Sequence, residues 1–133
     1  MRHRKKTVKL GRKTEHRESM FANMVTSLIQ HTRITTTIRK ARAASVLAEK
    51  MVTLAKKGDL AARRLAISRI RSEDGVRDLF ANIGPFFKDR QGGYTRVLKL
   101  GRRSSDSSEM AILEWVDYVK PAAAAAPAET AKS

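Results

Sequence analysis

Apolar residues recur at three- and four-residue steps in four segments of the chain, and this period predicts four helices. The segments cover residues 15–31, 38–57, 60–71 and 73–83. In the first, Met20, Met24 and Leu28 fall on one helical stripe, which is typical of a helix that buries one face. We expect the other three helices to bury a face in the same core.

The residues that flank these segments predict where each helix begins and ends. Short side chains that can accept a hydrogen bond from a free backbone N–H precede the helices, namely Thr14, Thr36 or Thr37, Asp59 and Ser72. Gly58 follows the second helix and suits the left-handed conformation that ends many helices. Gly84 and Pro85 are predicted to end the fourth helix.

Three other stretches are β-branched, alternating or densely apolar, which is typical of strands. They are RITTT at 33–37, YTRVLKL at 94–100 and MAILEWV at 110–116. The loop GRRSSDSSE between the last two would let them pair as an antiparallel hairpin. We expect the outer face of the sheet to carry arginine and lysine side chains in alternation.

These elements predict an α+β fold, with a single two-layer domain at residues 14–118 in which about four helices pack on a small mixed three-stranded sheet. Residues 1–13 have no hydrophobic period and repel one another, so we expect an extended basic arm that is disordered until a partner neutralises it. Residues 119–133 form a low-complexity tail of alanine and proline, which we also expect to be disordered.

The charge of the chain narrows the class of partner. The 133 residues carry a formal net charge of +15, which exceeds what solubility requires, so a large polyanion is the expected counterpart. Residues 1–58 hold 15 basic and 3 acidic side chains, which places most of the excess positive charge in the first half.

No stretch approaches the ~18 apolar residues of a membrane span, and no apolar secretion signal follows the basic start. A membrane is therefore not an expected partner.

The sequence offers no catalytic or metal-binding constellation. His3, His16 and His31 are too far apart for a helical zinc pair. The absence of cysteine excludes disulfides, thiolate metal sites and cysteine nucleophiles. The segment DRQGGYTR lacks the Walker pattern, so Gly92 and Gly93 are better explained as a turn before a strand. We expect no enzyme activity, cofactor, metal or small-molecule substrate.

Basic residues gather in three places that suit a nucleic acid. The arm cluster comprises Arg2, His3, Arg4, Lys5, Lys6, Lys9, Arg12, Lys13, His16 and Arg17. The junction cluster, where the first strand meets the second helix, comprises Arg33, Arg39, Lys40 and Arg42. The hairpin cluster comprises Arg90, Gly92, Gly93, Tyr94, Arg96, Lys99, Arg102 and Arg103. Tyr94 either stacks on an unpaired base or fills the core.

Three separated basic surfaces around one small core imply a partner that wraps the protein. A folded RNA presents backbone strands at several angles, whereas a DNA duplex would meet one face. RNA is therefore the favoured partner, and the alternative is a nucleoid-type protein that binds DNA without sequence preference. No helix-turn-helix, zinc-finger or RNP signature indicates sequence-specific recognition.

Five segments, taken together and in order, resemble one protein family. They are MRHRKKTVKLGRKTEHR, RITTTIRKARA, VTLAKKGDLAARR, KDRQGGYTRVLKLGRR and MAILEWV. They are similar to the family of the seventeenth protein of the bacterial large ribosomal subunit. The resemblance runs from Met1 to about Val116. The chain departs from the family pattern at RRSSDSSEM, where the family tends to have a glycine-aspartate pair and a proline before the methionine.

The resemblance implies a structural protein of the large ribosomal subunit, located in the cytoplasm. It implies binding to the ribosomal RNA of that subunit near the exit of the polypeptide tunnel, and contact with neighbouring ribosomal proteins. It also implies an α/β domain with a basic N-terminal extension, which agrees with the elements predicted from the residues.

Overall fold

The computed structural model describes residues 3–4 and 7–121. In this part the chain forms α1 (Thr14–His31), β1 (Arg33–Thr37), α2 (Ile38–Lys57), α3 (Leu60–Ile70), α4 (Glu73–Asp78), a π-helical segment (Leu79–Ile83), α5 (Gly84–Phe86), β2 (Thr95–Arg102) and β3 (Glu109–Trp115). The predicted helices and strands are therefore present close to their predicted positions. Arg2, Lys5, Lys6 and residues 122–133, for which an arm and a disordered tail are predicted, lie outside the described residues.

The three strands form one sheet in the order β1-β3-β2. Arg33 pairs with Glu114 and Thr37 with Met110, while Thr95 pairs with Trp115, so β3 runs antiparallel to both neighbours. The α+β class and the single domain are confirmed. The prediction of a mixed sheet is wrong, because the last strand enters between the other two in the direction opposite to each.

The helix α2 occupies the centre of the domain, where it contacts all three strands as well as α1, α3 and α5. Its residues Ala41, Ala44 and Ala48 have no exposed surface, because small side chains let neighbouring elements approach the helix closely. Large side chains fill the space around it, among them Leu28, Ile29, Met51, Leu79, Phe87, Leu113 and Trp115. Full burial of each such side chain contributes about 1.5–3 kcal/mol.

Trp115 connects the last strand to the first helix. Its indole Nε1 donates a buried hydrogen bond to the Leu28 carbonyl oxygen at 3.1 Å, and its backbone N–H donates to the Thr32 carbonyl oxygen at 3.2 Å. Both acceptors lie at the C-terminal end of α1, where the Leu28 carbonyl oxygen also accepts the Thr32 N–H at 2.9 Å. The indole is thus fixed between the helix and the sheet.

The first two helices begin without a side-chain cap. The prediction of Thr14 as N-cap is wrong by one residue, since Lys13 has the extended conformation that precedes α1, with φ −62° and ψ 154°. The chain is already extended there, so Thr14 is the first helical residue. Thr37 is the N-cap of α2, but its side chain accepts no capping hydrogen bond.

The next two helices are capped as the sequence predicts. Asp59 Oδ1 accepts a hydrogen bond from the Ala62 N–H at 2.7 Å, and Ser72 Oγ accepts one from the Gly75 N–H at 3.2 Å. Gly58, with a φ of 71°, is the left-handed residue that ends α2.

The fourth predicted helix continues past Gly84 and Pro85, so the prediction that they end it is wrong. The chain passes from α4 through the π-helical segment into α5. A proline has no N–H and crowds the preceding turn, and the wider π turn accommodates it. Gly84 serves packing, because a Cβ atom there would lie 2.9 Å from the Cβ of Ala55 in α2.

Candidate nucleic-acid interface

The arm cluster forms a turn where it meets α1. Leu10 and Gly11 have φ values of 53° and 65°, and the Arg12 N–H donates to the Lys9 carbonyl oxygen at 3.2 Å. The Arg12 guanidinium donates to the Leu10 carbonyl oxygen at 2.8 Å, and Arg17 donates to the Arg12 carbonyl oxygen at 3.3 Å. Because these bonds close the turn, this part of the arm is not extended as predicted.

A groove of about 520 Å³ joins the arm cluster to the junction cluster. Its lining comes from the arm, α1 and α2, namely Thr7, Val8, Arg17, Phe21, Arg39, Arg42, Ala43 and Val46. The sequence places Arg17 in one cluster and Arg39 and Arg42 in another. The fold brings these three side chains to one groove, which we call the arginine groove.

One face of α2 forms a wall of the arginine groove. Arg39, Arg42, Ala43 and Val46 follow each other at steps of three, one and three residues, so they share one side of the helix. That side points away from the core, since Val46 is 56% exposed. The alanines that pack inward occupy the opposite side.

The arginine groove is lined by both apolar and cationic side chains. Val8, Phe21 and Val46 supply apolar surface, and no acidic side chain lines the groove. Within the described residues, neither Arg39 nor Arg42 forms an ion pair. Guanidinium groups match phosphate geometry, and apolar side chains beside them can contact a base or a sugar. The arrangement therefore suits a nucleotide.

Two residues of the hairpin cluster reach the same end of α2. Lys99 and Arg102 line a groove of about 230 Å³ together with Ile38, Gly101, Glu109 and Met110. Ile38 is the first residue of α2 and directly precedes Arg39. Exposed Lys99 and Arg102 thus extend the positive surface around the start of α2, with Glu109 as a nearby acidic side chain.

The histidines do not converge on a reactive site. Exposed His16 lines a groove between α1 and β1 with Ser19, Asn23 and Thr35, and exposed His31 ends α1. In the part of the chain that the structure describes, no group of histidine and acidic side chains could hold a metal ion. Across the same residues, no helix has the length and apolar character needed to cross a membrane.

Gly92 and Gly93 form the turn that precedes β2, as the sequence predicts. Their φ values are 77° and 62°, in the left-handed region where glycine is favoured. Arg90 Nε donates to the Gly93 carbonyl oxygen at 3.1 Å, and Lys56 Nζ donates to the Arg90 carbonyl oxygen at 2.7 Å. Arg90 is thus partly engaged in holding the turn.

Tyr94 belongs to the core. It is 5% exposed, and its ring centroid lies 5.3 Å from that of Phe87. Its hydroxyl oxygen accepts a hydrogen bond from Lys56 Nζ at 3.0 Å, and this bond is the main reason that the pKa of Tyr94 is lowered. A ring in this position is not available to a base, so of the two roles that the sequence leaves open, the structure favours the core.

The loop between β2 and β3, where the sequence departs from the family pattern, is closed by its own hydrogen bonds. The Arg103 N–H donates to the Ser108 carbonyl oxygen and the Ser107 N–H to the Arg103 carbonyl oxygen, both at 2.8 Å. The Arg103 guanidinium donates to both carboxylate oxygens of Asp106, at 3.0 and 2.6 Å. This bidentate pair lowers the pKa of Asp106 and raises that of Arg103. The charge of Arg103 is therefore matched within the loop.

The outer face of the sheet does not carry the alternating arginine and lysine side chains that we expected. Arg33 Nη2 lies 3.0 Å from one Glu114 carboxylate oxygen, and Arg96 Nη1 lies 3.7 Å from the other. Arg96 also approaches Asp117 Oδ1 at 3.4 Å. The rest of this face carries Thr35, Thr37, Leu98, Met110 and Ile112. Alternation identifies the residues of a face, but it does not reveal that acidic residues of the next strand neutralise its arginines.

Three apolar side chains of the arginine groove, those of Val8, Phe21 and Val46, are absent from the predicted site. The RNA-binding residues are predicted mainly from their charge, and an apolar residue in an amphipathic helix is normally assigned to the core. The signal that could have identified Val46 is its position. It lies beside Arg42 and Ala43 and off the stripe formed by Ala41, Ala44 and Ala48.

Comparison with known proteins identifies relatives along most of the chain. A family model described as "Ribosomal protein L17" matches residues 20–116. The "Large ribosomal subunit protein bL17" of Finegoldia magna is 55% identical over 112 residues, which are 84% of this chain and 86% of the relative. The proteins of the same name from Hyphomonas neptunium and Desulfotalea psychrophila are each 52% identical, over 95% and 94% of this chain and 90% and 97% of their own lengths.

Proposed function

Because the chain belongs to the ribosomal protein L17 family, we propose that it is a non-enzymatic structural constituent of the large ribosomal subunit, located in the ribosome in the cytoplasm. We further propose that it binds the RNA of that subunit through its basic surfaces, near the exit of the polypeptide tunnel. Its remaining partners are neighbouring ribosomal proteins. The position near the tunnel exit is supported by the family resemblance alone.

The observation that carries the RNA-binding proposal is the arginine groove. Three arginines from separate parts of the sequence line one groove together with Val8, Phe21 and Val46, with no acidic side chain in the lining. A chain of net charge +15 could be soluble without such convergence. Since phosphate contacts dominate the affinity for nucleic acids, this convergence supports a binding role.

We propose a ranking of the predicted contacts by whether each charge is already matched by an acidic side chain. Arg17, Arg39, Arg42, Lys99 and Arg102 line grooves at the start of α2, and we propose them as the principal contacts. Lys9, Lys13, His16, Arg4, Arg12 and Lys40 line neither of these two grooves, and we propose them as secondary contacts. Arg33, Arg96 and Arg103 are held by acidic residues and are expected to contribute less. His3 and the three arm cations outside the described residues remain predicted contacts.

RNA fits these surfaces better than duplex DNA does. The arginine groove has apolar side chains beside its arginines, and such a surface suits an unpaired nucleotide, whose base can contact it, better than a paired backbone. The positive surface also continues from the arm around the start of α2 to the hairpin, on elements that face different directions. A nucleoid-type protein that binds duplex DNA would instead be expected to carry its basic side chains, free of ion pairs, on one continuous face.

Competition binding tests this proposal. The purified chain is bound to labelled large-subunit ribosomal RNA at moderate salt, and unlabelled ribosomal RNA or duplex DNA is added as competitor. We expect the RNA to compete far better, and superior competition by the duplex would overturn RNA as the partner. Association with large subunits that persists in high salt is a second expected result.

A matched pair of variants tests the arginine groove itself. Arg39→Ala/Arg42→Ala should weaken RNA binding and lower the slope of log affinity against log salt concentration by roughly one for each phosphate that is no longer neutralised. Arg64→Ala/Arg69→Ala removes the same charge from two exposed positions on α3, outside all three clusters and, like Arg39 and Arg42, without an ion pair in the described residues. Equal losses of affinity in both double variants would show that net charge, not the groove, governs binding.

A further inference from the structure

We propose that Ser105, in the loop between β2 and β3, is a phosphorylation site whose modification weakens RNA binding by the hairpin cluster. This inference rests on the proposed RNA-binding function and names a regulation of that surface. The modifying enzyme is a protein kinase that uses a nucleoside triphosphate and recognises basic residues on the N-terminal side of its target. We call residues 103–108 the serine loop, since four of the six are serines.

The serine loop presents free hydroxyl groups at the end of the hairpin. Ser104, Ser105 and Ser107 are exposed, and their side chains form no hydrogen bond within the described residues. Ser45 and Ser68, by contrast, donate to backbone carbonyl oxygens of their own helices, each at 2.7 Å. Exposed loop tips are also the places where enzymes reach a folded chain most easily. The three loop hydroxyls are therefore accessible acceptors.

The charges beside the serine loop distinguish Ser105 from its neighbours. Arg102 and Arg103 precede it by three and two residues, so this hydroxyl follows a pair of guanidinium groups at a fixed spacing. Kinases choose their substrates by such charge patterns, and acidic groups beside a kinase active site would hold both arginines. Ser107 has serines at the corresponding two positions. Ser107 is therefore the matched position that such a kinase should leave unmodified.

The proposed step is a phosphoryl transfer in which this chain supplies only the acceptor. Ser105 Oγ attacks the γ-phosphorus of the nucleoside triphosphate, so that a new P–O bond forms and the bond from the γ-phosphorus to the β–γ bridging oxygen breaks. The nucleoside diphosphate leaves, and the hydroxyl proton passes to a base of the kinase. The modified serine carries a charge of about −1.5 to −2 and three acceptor oxygens.

This negative charge would lie beside a surface that we propose for RNA. Arg102 lines the groove at the start of α2 with Lys99, and it has no ion pair in the described residues. Arg103 is already held by Asp106, at 2.6 Å. The Ser107 N–H donates to the Arg103 carbonyl oxygen at 2.8 Å, which folds the loop back toward its two arginines.

Arg102 is therefore the adjacent cation that remains free to pair with a phosphate on Ser105. An arginine that is paired in this way no longer neutralises a phosphate of the RNA, and the added negative charge repels the RNA backbone. Phosphorylation would thus remove the hairpin cluster from the RNA-binding surface, while the arginine groove stays intact.

Phosphoserine inserted at position 105 of the full chain tests the effect on binding. Filter binding to large-subunit ribosomal RNA at moderate salt compares this chain with the unmodified chain, each with and without Arg102→Ala. We expect phosphoserine at 105 to weaken binding about tenfold, and less than about threefold when Arg102→Ala has removed its proposed partner.

The other results of this experiment overturn separate claims. Unchanged affinity with phosphoserine at 105, or an equal loss with and without Arg102→Ala, would overturn the inference. Failure of the unmodified chain to bind ribosomal RNA would instead overturn the proposed function.

Mass spectrometry of the chain isolated from the cells that produce it tests whether the site is used. The chain is recovered from large subunits and from the fraction that is free of ribosomes, and peptides that contain the serine loop are analysed. We expect phosphate on Ser105 in the free fraction and its depletion in large subunits. Ser105→Ala should abolish the signal, and Ser107→Ala should preserve it. Phosphate on Ser107 alone, or on neither serine in both fractions, would overturn the inference.

Discussion

The ammonium of Lys56 in α2 donates a hydrogen bond to the hydroxyl of Tyr94, 3.0 Å away at the entrance to the final hairpin. The same nitrogen donates to the Arg90 carbonyl oxygen at 2.7 Å and lies 5.2 Å from the centroid of the tyrosine ring. One lysine therefore joins the glycine turn, the core and the central helix.

This contact makes the two tyrosines of the chain titrate differently. The Lys56 hydrogen bond lowers the pKa of Tyr94, whereas burial raises the pKa of Tyr118, whose hydroxyl has no hydrogen-bond partner in the described part of the chain. We expect phenolate absorbance to rise in two steps, one below and one above the ordinary pKa of about 10. Lys56→Met should move the lower step upward. A single step near that value would contradict this prediction.

The same shifts determine how stability depends on alkaline pH. Because Tyr94 loses its proton more readily in the folded chain, its contribution to the free energy of unfolding is present above the unfolded pKa of about 10 and is lost as pH falls through the folded pKa. Tyr118 has the opposite effect, since its contribution is present below about 10 and is lost as pH rises through its raised pKa.

Adjacent arginines in the hairpin loop should contribute unequally to RNA binding. Arg103 is held by the Asp106 carboxylate, whereas Arg102 has no ion pair in the described residues. Arg102→Ala should lower the salt slope of RNA binding by roughly one, and Arg103→Ala should lower it less. Filter binding at several salt concentrations measures both slopes, and Asp106→Asn should increase the contribution of Arg103. Equal slopes for the two alanine variants would contradict this prediction. They would show that RNA displaces the Asp106 carboxylate from Arg103.

A side chain at position 84 should destabilise the fold. The Cβ of Gly84→Ala would meet the Ala55 Cβ at 2.9 Å and the Ala55 carbonyl carbon at 3.2 Å. Overpacking of this kind costs about 1–3 kcal/mol, which exceeds the roughly 0.5–1 kcal/mol that alanine gains over glycine in a helix. Denaturant unfolding should show a lower midpoint. Gly84→Ala/Ala55→Gly should recover part of the loss, and no coupling between the two changes would place the strain elsewhere.

The N-caps of α2 and α3 provide a matched comparison. Asp59→Ala removes the acceptor that the Ala62 N–H uses at 2.7 Å and should cost about 1 kcal/mol of stability. Thr37→Ala removes a side chain that makes no capping hydrogen bond and should cost a few tenths of that amount. Equal losses in urea unfolding would contradict the assigned caps.

The sequence predicts the elements well because their signals are local. Met20, Met24 and Leu28 lie on one stripe of α1, and Asp59 and Ser72 accept hydrogen bonds within one turn of their own helices. Gly84 and Pro85 show the limit of such signals, because they are typical of a helix end by local rules. Ala55, a neighbour in space and not in sequence, explains why a glycine lies there.

The candidate site was predictable in composition but not in arrangement. The charge pattern identified Arg17, Arg39 and Arg42, and only the packing of the arm beside α1 and α2 shows that they share a groove. The same pattern included Arg33 and Arg96, whose charges are matched by Glu114 across the sheet. Pairing between strands distant in sequence cannot be inferred from the charge of either strand alone.

The central position of β3 in the sheet has a consequence for how the protein is made. β1 ends at residue 37, but its partner in the sheet does not begin until residue 109. A nascent chain therefore carries β1 unpaired through the synthesis of all the helices, and the indole that joins α1 to the sheet arrives only with Trp115. Contacts between such distant residues form slowly, so the sheet can close only after Trp115 has been synthesised.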